Sequence, residues 1–253
     1  MQFKVTPPEK IETAIKLPSS KSISNRLLIL NALSCSEHPI ENLSKCEDTQ
    51  VIIDAFNSDS NIFDVKGAGT AMRFLTAFLA TTEGEWIIKG NARMHERPIY
   101  PLVETLGVLG SEIEYLEKKG YPPLKIKGKR LEGGEVYLSG NMSSQFTSAL
   151  LMIAPTMNNG LTIHLENEVI SKPYIQLTLG LMEAYGIKSK WEGNNITIKH
   201  QQYVPTSIRV ESDWSAASYW YSIVALMPEA QITLLGLKRN SLQGDSNLHN
   251  LFA

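Results

Sequence analysis

The sequence predicts an α/β protein built from similar supersecondary units, and two observations carry that prediction. First, a loop of Gly, Ser or Asp leads four times into a small polar residue and then into an amphipathic or wholly apolar run. Second, short segments that alternate in polarity or are rich in β-branched residues lie between these runs. Helical and strand-like periodicities that succeed one another along a chain are typical of α/β architecture.

The four apolar runs predict helices because each is long enough for several turns and rich in Leu, Ala and Met. They lie at residues 19–34, 67–82, 143–156 and 212–227. Ser, Thr or Asp stands near the beginning of each run, and these side chains cap the first free N–H groups of a helix. The repeat spacing is too loose for a solenoid but fits repeated supersecondary units.

Two further helices are predicted at residues 97–110 and 173–186, because both segments have Pro near the first turn and end with Gly. A strand follows each of them, at 111–118 and 187–193. Other strand-like segments, bounded by turn residues, are 85–90, 124–129, 133–140, 160–167, 195–200 and 231–237.

Composition excludes several classes of protein. Of 253 residues, 43% are hydrophobic and 20% charged, which fits a soluble globular protein and excludes disorder as the main state. The net charge is −2, whereas a broad nucleic-acid surface needs a basic surplus. Cys35 and Cys46 lack the spacing of a zinc site or a disulfide framework, and no apolar stretch reaches membrane-spanning length. We expect a cytoplasmic protein that binds neither nucleic acid nor membrane.

The first predicted helix begins with a group of residues suited to anions. Three serines and Lys21 precede or open it, and Arg26 follows about one turn later. Free backbone N–H groups and the helix dipole attract negative charge there, and the side chains add further donors. The alternative is an ordinary cap with solvated basic residues. The turn at 67–70 would let a ligand approach its backbone, although a tight turn explains its glycines equally well.

Four of the seven arginines lie in or beside these loops, at Arg26, Arg73, Arg93 and Arg97. Arginine suits bidentate binding of carboxylate or phosphate, so their clustering indicates a small polyanionic ligand. Hydroxyl, amide and phenol groups open two more helices, at residues 143–145 and 171–174, and would suit a polyhydroxylated ring. Capping explains each of them singly, and we expect Glu211 and Asp213 to be caps as well.

Taken in order, six motifs resemble the EPSP synthase (3-phosphoshikimate 1-carboxyvinyltransferase) family: LPSSKSISNRLLIL, GAGTAMRFL, RMHERPI, SSQFTSALLMIAP, SKPYIQLTL and RNSLQGD. The resemblance covers essentially the whole chain. It implies the enolpyruvyl-transferase fold of two lobes, each made of three βαβαββ units with pseudo-threefold symmetry. Residues 17–225 would then form a complete N-terminal lobe, and residues 1–16 and 226–253 would be incomplete pieces of the second lobe.

The resemblance also implies an activity: transfer of the enolpyruvyl group from phosphoenolpyruvate to the 5-hydroxyl of shikimate 3-phosphate, in aromatic amino acid biosynthesis. The family needs no metal or organic cofactor, and we expect a monomer. By motif position, Lys21 would be the catalytic residue within this chain. Shikimate 3-phosphate would contact Lys21, Ser22, Arg26, Ser143, Ser144, Gln145, Ser171 and Tyr174. Phosphoenolpyruvate, and glyphosate in this family, would contact Lys21, Gly69, Arg97 and Gln145.

Two departures from the family pattern affect these expectations. Gly67 stands where the family often has Asn, so one polar contact to phosphoenolpyruvate is expected to be missing. The family's main catalytic Asp and Lys belong to a second half that follows the motifs found here. We therefore expect this chain to bind shikimate 3-phosphate weakly and to be inactive alone.

Two alternatives stay open. One is a naturally short, non-catalytic module that binds anions. The other is UDP-N-acetylglucosamine enolpyruvyl transferase, which usually carries a reactive Cys in the loop that here reads GNARMHER.

Overall fold

The computed structural model describes residues 8–252, which form ten strands and nine helices. The strands are β1 Ile11–Lys16, β2 Ile62–Asp64, β3 Gly84–Lys89, β4 Glu112–Tyr115, β5 Leu124–Gly128, β6 Gly134–Ser139, β7 Leu161–Glu166, β8 Ser189–Glu192, β9 Asn195–Ile198 and β10 Ala230–Leu235. The helices are α1 Lys21–Leu33, α2 Glu47–Phe56, α3 Gly69–Thr81, α4 Ala92–His95, α5 Tyr100–Val108, α6 Ser144–Ile153, α7 Lys172–Ala184, α8 Trp214–Leu226 and α9 Leu248–Leu251. The predicted α/β class is confirmed.

Two segments of the chain fold into the same unit. In the first, the strand order is β2-β3-β5-β4, and in the second it is β6-β7-β9-β8. Each unit has one parallel pair joined through a helix, followed by two antiparallel pairings. Both therefore have βαβαββ topology, as the resemblance implies, with the short α4 as an addition in the first.

The remaining part of the lobe contributes helices without a four-stranded sheet of its own. Helices α1 and α2 follow each other, and only isolated bridges join the neighbouring chain, at Ser19–Ser212 and Glu41–Arg209. The segment between the helices is mostly polar and largely exposed, so it does not bury the alternate side chains that a longer strand would need. The described residues thus hold two complete βαβαββ units and a third, reduced one.

The inner helices α1, α3 and α6 contact one another pairwise and form the centre of the main core. Helix α2 packs on α1 and α3, and α7 packs on α6 and α1. The inner helices are buried on nearly every side, which explains their wholly apolar stretches. This arrangement fixes the position of each inner helix's first turn relative to the others.

Helix α8 belongs to a second, smaller core. Its buried residues Trp214 and Ala217 pack with Leu17 and with partly buried side chains of β1 and β10. Strands β1 and β10 pair in parallel along their whole length. The sequence interpretation placed α8 in the lobe of residues 17–225, and in the structure α8 packs against both Leu17 of that lobe and the strands of the outer pieces. The predicted division itself stays a prediction, and residues 1–7 and 253 of its outer pieces lie outside the described residues.

Several of these helices are capped by a side chain at the N-terminus. Ser20 and Ser143 accept hydrogen bonds from backbone N–H groups of α1 and α6. Asp213 caps α8 as expected, since it accepts from the N–H groups of Ser215 and Ala216. The expectation for Glu211 was wrong: its buried carboxylate accepts from the 238–243 segment instead, because that segment supplies closer donors.

Shortening one buried side chain tests the packing of the inner helices α1, α3 and α6. We expect Leu150→Ala, at a fully buried position of α6, to lower the free energy of unfolding by about 2–5 kcal/mol. The matched control is Leu226→Ala, because Leu226 is 84% exposed and its truncation leaves no cavity. Urea denaturation of both variants measures the difference, and equal losses would contradict the assignment of α6 to the core.

The Asp213 cap gives a second test. Replacing it by Ala removes the acceptor for two N–H groups of α8 and should cost about 0.5–2 kcal/mol of unfolding free energy. Asp213→Asn keeps an acceptor oxygen and should cost much less. Denaturation curves of the two variants decide between them, and an Asn variant as unstable as the Ala variant would speak against a capping role.

Candidate anion-binding site

Six helices begin at the wall of one cavity of about 630 Å³. Each contributes a residue from its first turn or its cap: Ser22 of α1, Cys46 before α2, Thr70 of α3, Ser144 of α6, Tyr174 of α7 and Ser215 of α8. The first N–H groups of a helix lack intrahelical partners, and the dipole places partial positive charge there. The volume lies within the usual range for small-molecule sites.

All eight residues that the resemblance assigns to shikimate 3-phosphate line this cavity: Lys21, Ser22, Arg26, Ser143, Ser144, Gln145, Ser171 and Tyr174. They come from the beginnings of three helices, α1, α6 and α7, which are far apart in sequence. The two residues assigned to phosphoenolpyruvate alone, Gly69 and Arg97, do not line it but lie against each other beside it. The structure therefore brings the predicted residues together, and their roles stay predictions.

Arg26 is the buried cation of the cavity wall. It is 3% exposed, and its guanidinium donates to the backbone oxygen of Ser22 at 2.9 Å and to two hydroxyls on other helices. Burial lowers the pKa of Arg26 to about 10, which leaves it charged at neutral pH. No carboxylate among residues 8–252 forms an ion pair with it. A buried charge without a counterion favours an anion from solution.

Two carboxylates hold Lys21 at the other side of the cavity. Its Nζ lies 3.5 Å from Oδ2 of Asp48, and its backbone N–H donates to Oδ2 of Asp213 at 3.3 Å. Asp213 thus lies at the beginning of α1 and of α8 at once. Both oxygens of this carboxylate accept N–H groups, which occupies them with structural contacts.

The Gly-rich turn and its arginines form a second positive region. A Cβ added at Gly69 would stand 2.6 Å from Cζ of Arg97, so only Gly lets that guanidinium lie against the backbone. On the other side, Nη1 of Arg73 donates to the backbone oxygen of Gly69 at 2.8 Å. Burial, with a smaller effect from Arg97, lowers the pKa of Arg73 to about 10. Two like charges this close favour an anion between them.

Gln145 connects the two regions. Its Nε2 donates to Oγ1 of Thr70 at 3.1 Å, which joins the first turn of α6 to that of α3 next to Gly69. Another amide lies close to Gly67, where the family often has Asn. Nδ2 of Asn91 is 3.3 Å from a Cβ built on Gly67. A polar group is therefore present near the position where the sequence analysis expected one polar contact to be missing.

Sequence reasoning missed the contribution of α2, which brings Ser44 and Cys46 to the cavity wall. The adjacent acidic residues Glu47 and Asp48 were a usable signal, since acidic residues are favoured in the first turn of a helix. It also missed Ser148 and Thr178, the hydroxyls that contact Arg26. Each lies four residues after a predicted site residue, on the same helix face.

Metal ligation finds no support in this part of the chain. Among residues 8–252, no group of three or more His, Cys, Asp or Glu side chains could hold a metal ion. None of the helices in the described range has the length and apolar character to cross a membrane.

Comparison with known proteins places the chain in a family. The family model described as EPSP synthase (3-phosphoshikimate 1-carboxyvinyltransferase) matches residues 5–58 and 53–251. The 3-phosphoshikimate 1-carboxyvinyltransferase of Bacteroides fragilis ATCC 25285 is 50% identical over 254 residues, covering 100% of this chain and 62% of that protein. The enzyme of that name from Aliivibrio salmonicida is 38% identical, covering 94% of this chain and 63% of the relative.

The fold is found in solved structures as well. EPSP synthase from Acinetobacter baumannii superposes with a TM-score of 0.80 at 22% identity, covering 92% of this chain and 57% of that one. The chain thus spans less than two thirds of the length of these relatives. On its matched residues and its fold, it belongs to the EPSP synthase family.

Proposed function

We propose that this chain provides the shikimate 3-phosphate side of an enzyme that transfers the enolpyruvyl group of phosphoenolpyruvate to the 5-hydroxyl of shikimate 3-phosphate. The observation that carries the proposal is the Arg26 guanidinium, which is buried in the wall of a cavity where six helices begin and forms no ion pair with a carboxylate of residues 8–252. The names of the relatives support the reaction, and the shared motifs support the residues.

The cavity suits a molecule that carries negative charge and several hydroxyls. Helix beginnings, Lys21 and Arg26 stabilise phosphate and carboxylate groups, and Ser22, Ser144 and Tyr174 offer hydroxyls to a polar ring. A neutral or apolar ligand would leave these donors unpaired, which costs free energy. Shikimate 3-phosphate has the required charges and hydroxyls.

Phosphoenolpyruvate would bind beside it, between Gly69, Arg73 and Arg97. Gln145 lies at the boundary, and by motif position Gln145 and Lys21 would contact both molecules. Two anions can be held in attack geometry only if a positive group lies next to each of them. Arg26 and Arg97, at separate positions, would provide these two groups. The first substrate would sit in the cavity and the second at its edge.

General acid–base catalysis needs more than these residues offer. Asp213 is the one carboxylate that lines the cavity in the described part of the chain, and N–H donors occupy both of its oxygens. Proton transfer to the alkene and from the hydroxyl therefore needs groups from elsewhere. We propose that a second lobe supplies them, and that residues of β1, β10 and α9 belong to that side. The enzyme would act in the cytoplasm as a monomer and without a cofactor.

Calorimetric titration of shikimate 3-phosphate into the 253-residue chain tests the proposal. We expect binding, and we expect Arg26→Ala to raise the Kd by about 10–100-fold, because a charge-assisted contact is lost. Arg209→Ala is the matched control, since Arg209 is exposed and paired with Glu41 on another surface. Absence of binding, or equal affinities of all three proteins, would refute the proposed site.

Turnover by the same chain separates binding from catalysis. With both substrates present, we expect no release of inorganic phosphate above the uncatalysed rate, because no free acid–base pair lines the described cavity. A coupled phosphate assay measures this. Sustained release would show that the chain contains its own catalytic groups.

A further inference from the structure

Arg26 is held by contacts from three other helices, and these contacts define the direction of its guanidinium. Nε donates to Oγ1 of Thr178 on α7 at 2.7 Å, and Nη2 donates to Oγ of Ser148 on α6 at 3.2 Å. The ring of Phe74 on α3 lies 5.4 Å from Cζ. A long side chain would otherwise lose rotamer entropy when it binds a ligand.

The two hydroxyls also fix each other's hydrogen atoms. Thr178 donates to the backbone oxygen of Tyr174 at 2.9 Å, so its single proton is used there. The Oγ atoms of Ser148 and Thr178 are 2.8 Å apart, and Ser148 is then the donor of that bond. Each hydroxyl is left with a lone pair for Arg26. The pair therefore acts as an acceptor surface matched to Nε and Nη2.

The two hydroxyls that form this acceptor surface are shielded from solvent. Ser148 and Thr178 are both 0% exposed, and neither lines the cavity, whereas Arg26 does. Neutral acceptors satisfy the guanidinium without neutralising its charge, which a carboxylate in the same place would do. Three of the five N–H groups of Arg26 are used in these contacts and with Ser22, which leaves two for a ligand.

We infer that Thr178 and Ser148 are positioning residues, which hold Arg26 charged and oriented toward the anion in the cavity. The inference rests on the proposed function, because it gives these hydroxyls a role in binding shikimate 3-phosphate through Arg26. They do not contact the ligand themselves. If the two hydroxyls had only a structural role, their removal would lower stability but would leave the contribution of Arg26 to ligand affinity unchanged.

A double-mutant cycle tests the inference on the 253-residue chain, with shikimate 3-phosphate as the titrant. We expect Thr178→Val to raise the Kd by about tenfold, because the acceptor for Nε is lost. Thr178→Ser restores the hydroxyl and should return the Kd to within about twofold of the wild type. In the Arg26→Ala background, Thr178→Val should have no further effect, because the side chain through which it acts is gone.

Thr76→Val is the matched control. Thr76 is also a fully buried helical threonine whose hydroxyl donates to a backbone oxygen four residues earlier, but it does not contact Arg26. It should lose stability like Thr178→Val and keep wild-type affinity. If Thr178→Val does not fold, Ser148→Ala takes its place in the same cycle, with weaker binding expected only when Arg26 is present.

Exchange of the Arg26 Nε–H with solvent, measured by NMR without ligand, gives an independent measurement. It should be slow in the wild type and in Thr178→Ser and faster in Thr178→Val. The inference is overturned if Thr178→Val binds like the wild type although Arg26→Ala does not, and the proposed function then survives. It is also overturned if the two losses simply add. A wild-type chain that does not bind the ligand would overturn the proposed function and this inference together.

Discussion

The positive ends of six helices meet at one cavity, and this meeting determines what the rest of the molecule must do. Each helix beginning carries N–H groups without partners inside the helix, and several such positive ends close together repel one another electrostatically unless negative charge lies between them. Asp213 supplies part of that charge at α1 and α8. Arg26 adds positive charge that no carboxylate among residues 8–252 offsets through an ion pair. This excess of positive charge at the cavity is the basis of the proposed binding of an anionic ligand.

The core makes this arrangement rigid. Helices α1, α3 and α6 contact one another along apolar surfaces, so their first turns cannot move apart without opening the interior. Some buried polar groups are hydrogen-bonded across helices, as with Arg26, Ser148 and Thr178. Close packing thus positions the charges, and the charges explain why a few polar side chains are tolerated in an apolar interior.

The second core has a different character. Helix α8 buries Trp214 and Ala217 against β1 and β10 but leaves much of its remaining surface exposed, with Leu226 84% and Tyr219 73% accessible. Tyr219 also lines the cavity. The α8 side of the cavity is therefore less tightly packed than the side formed by the main core, and it joins the two parts of the chain that the sequence assigns to different lobes.

The sequence by itself determined the α/β class, six of the longer helices and the ordered motifs, because capping residues and apolar periodicity are local properties. Through the family resemblance it also singled out eight of the residues that line the cavity. It did not determine α2, whose beginning at Cys46 lacks a usual cap, or the packing of α8, which depends on β1 nearly two hundred residues away. The contacts of Arg26 were likewise decided only by tertiary structure. Thr178 follows it by 152 residues, and nothing in the intervening sequence specifies which hydroxyl will meet which guanidinium once three helices have packed.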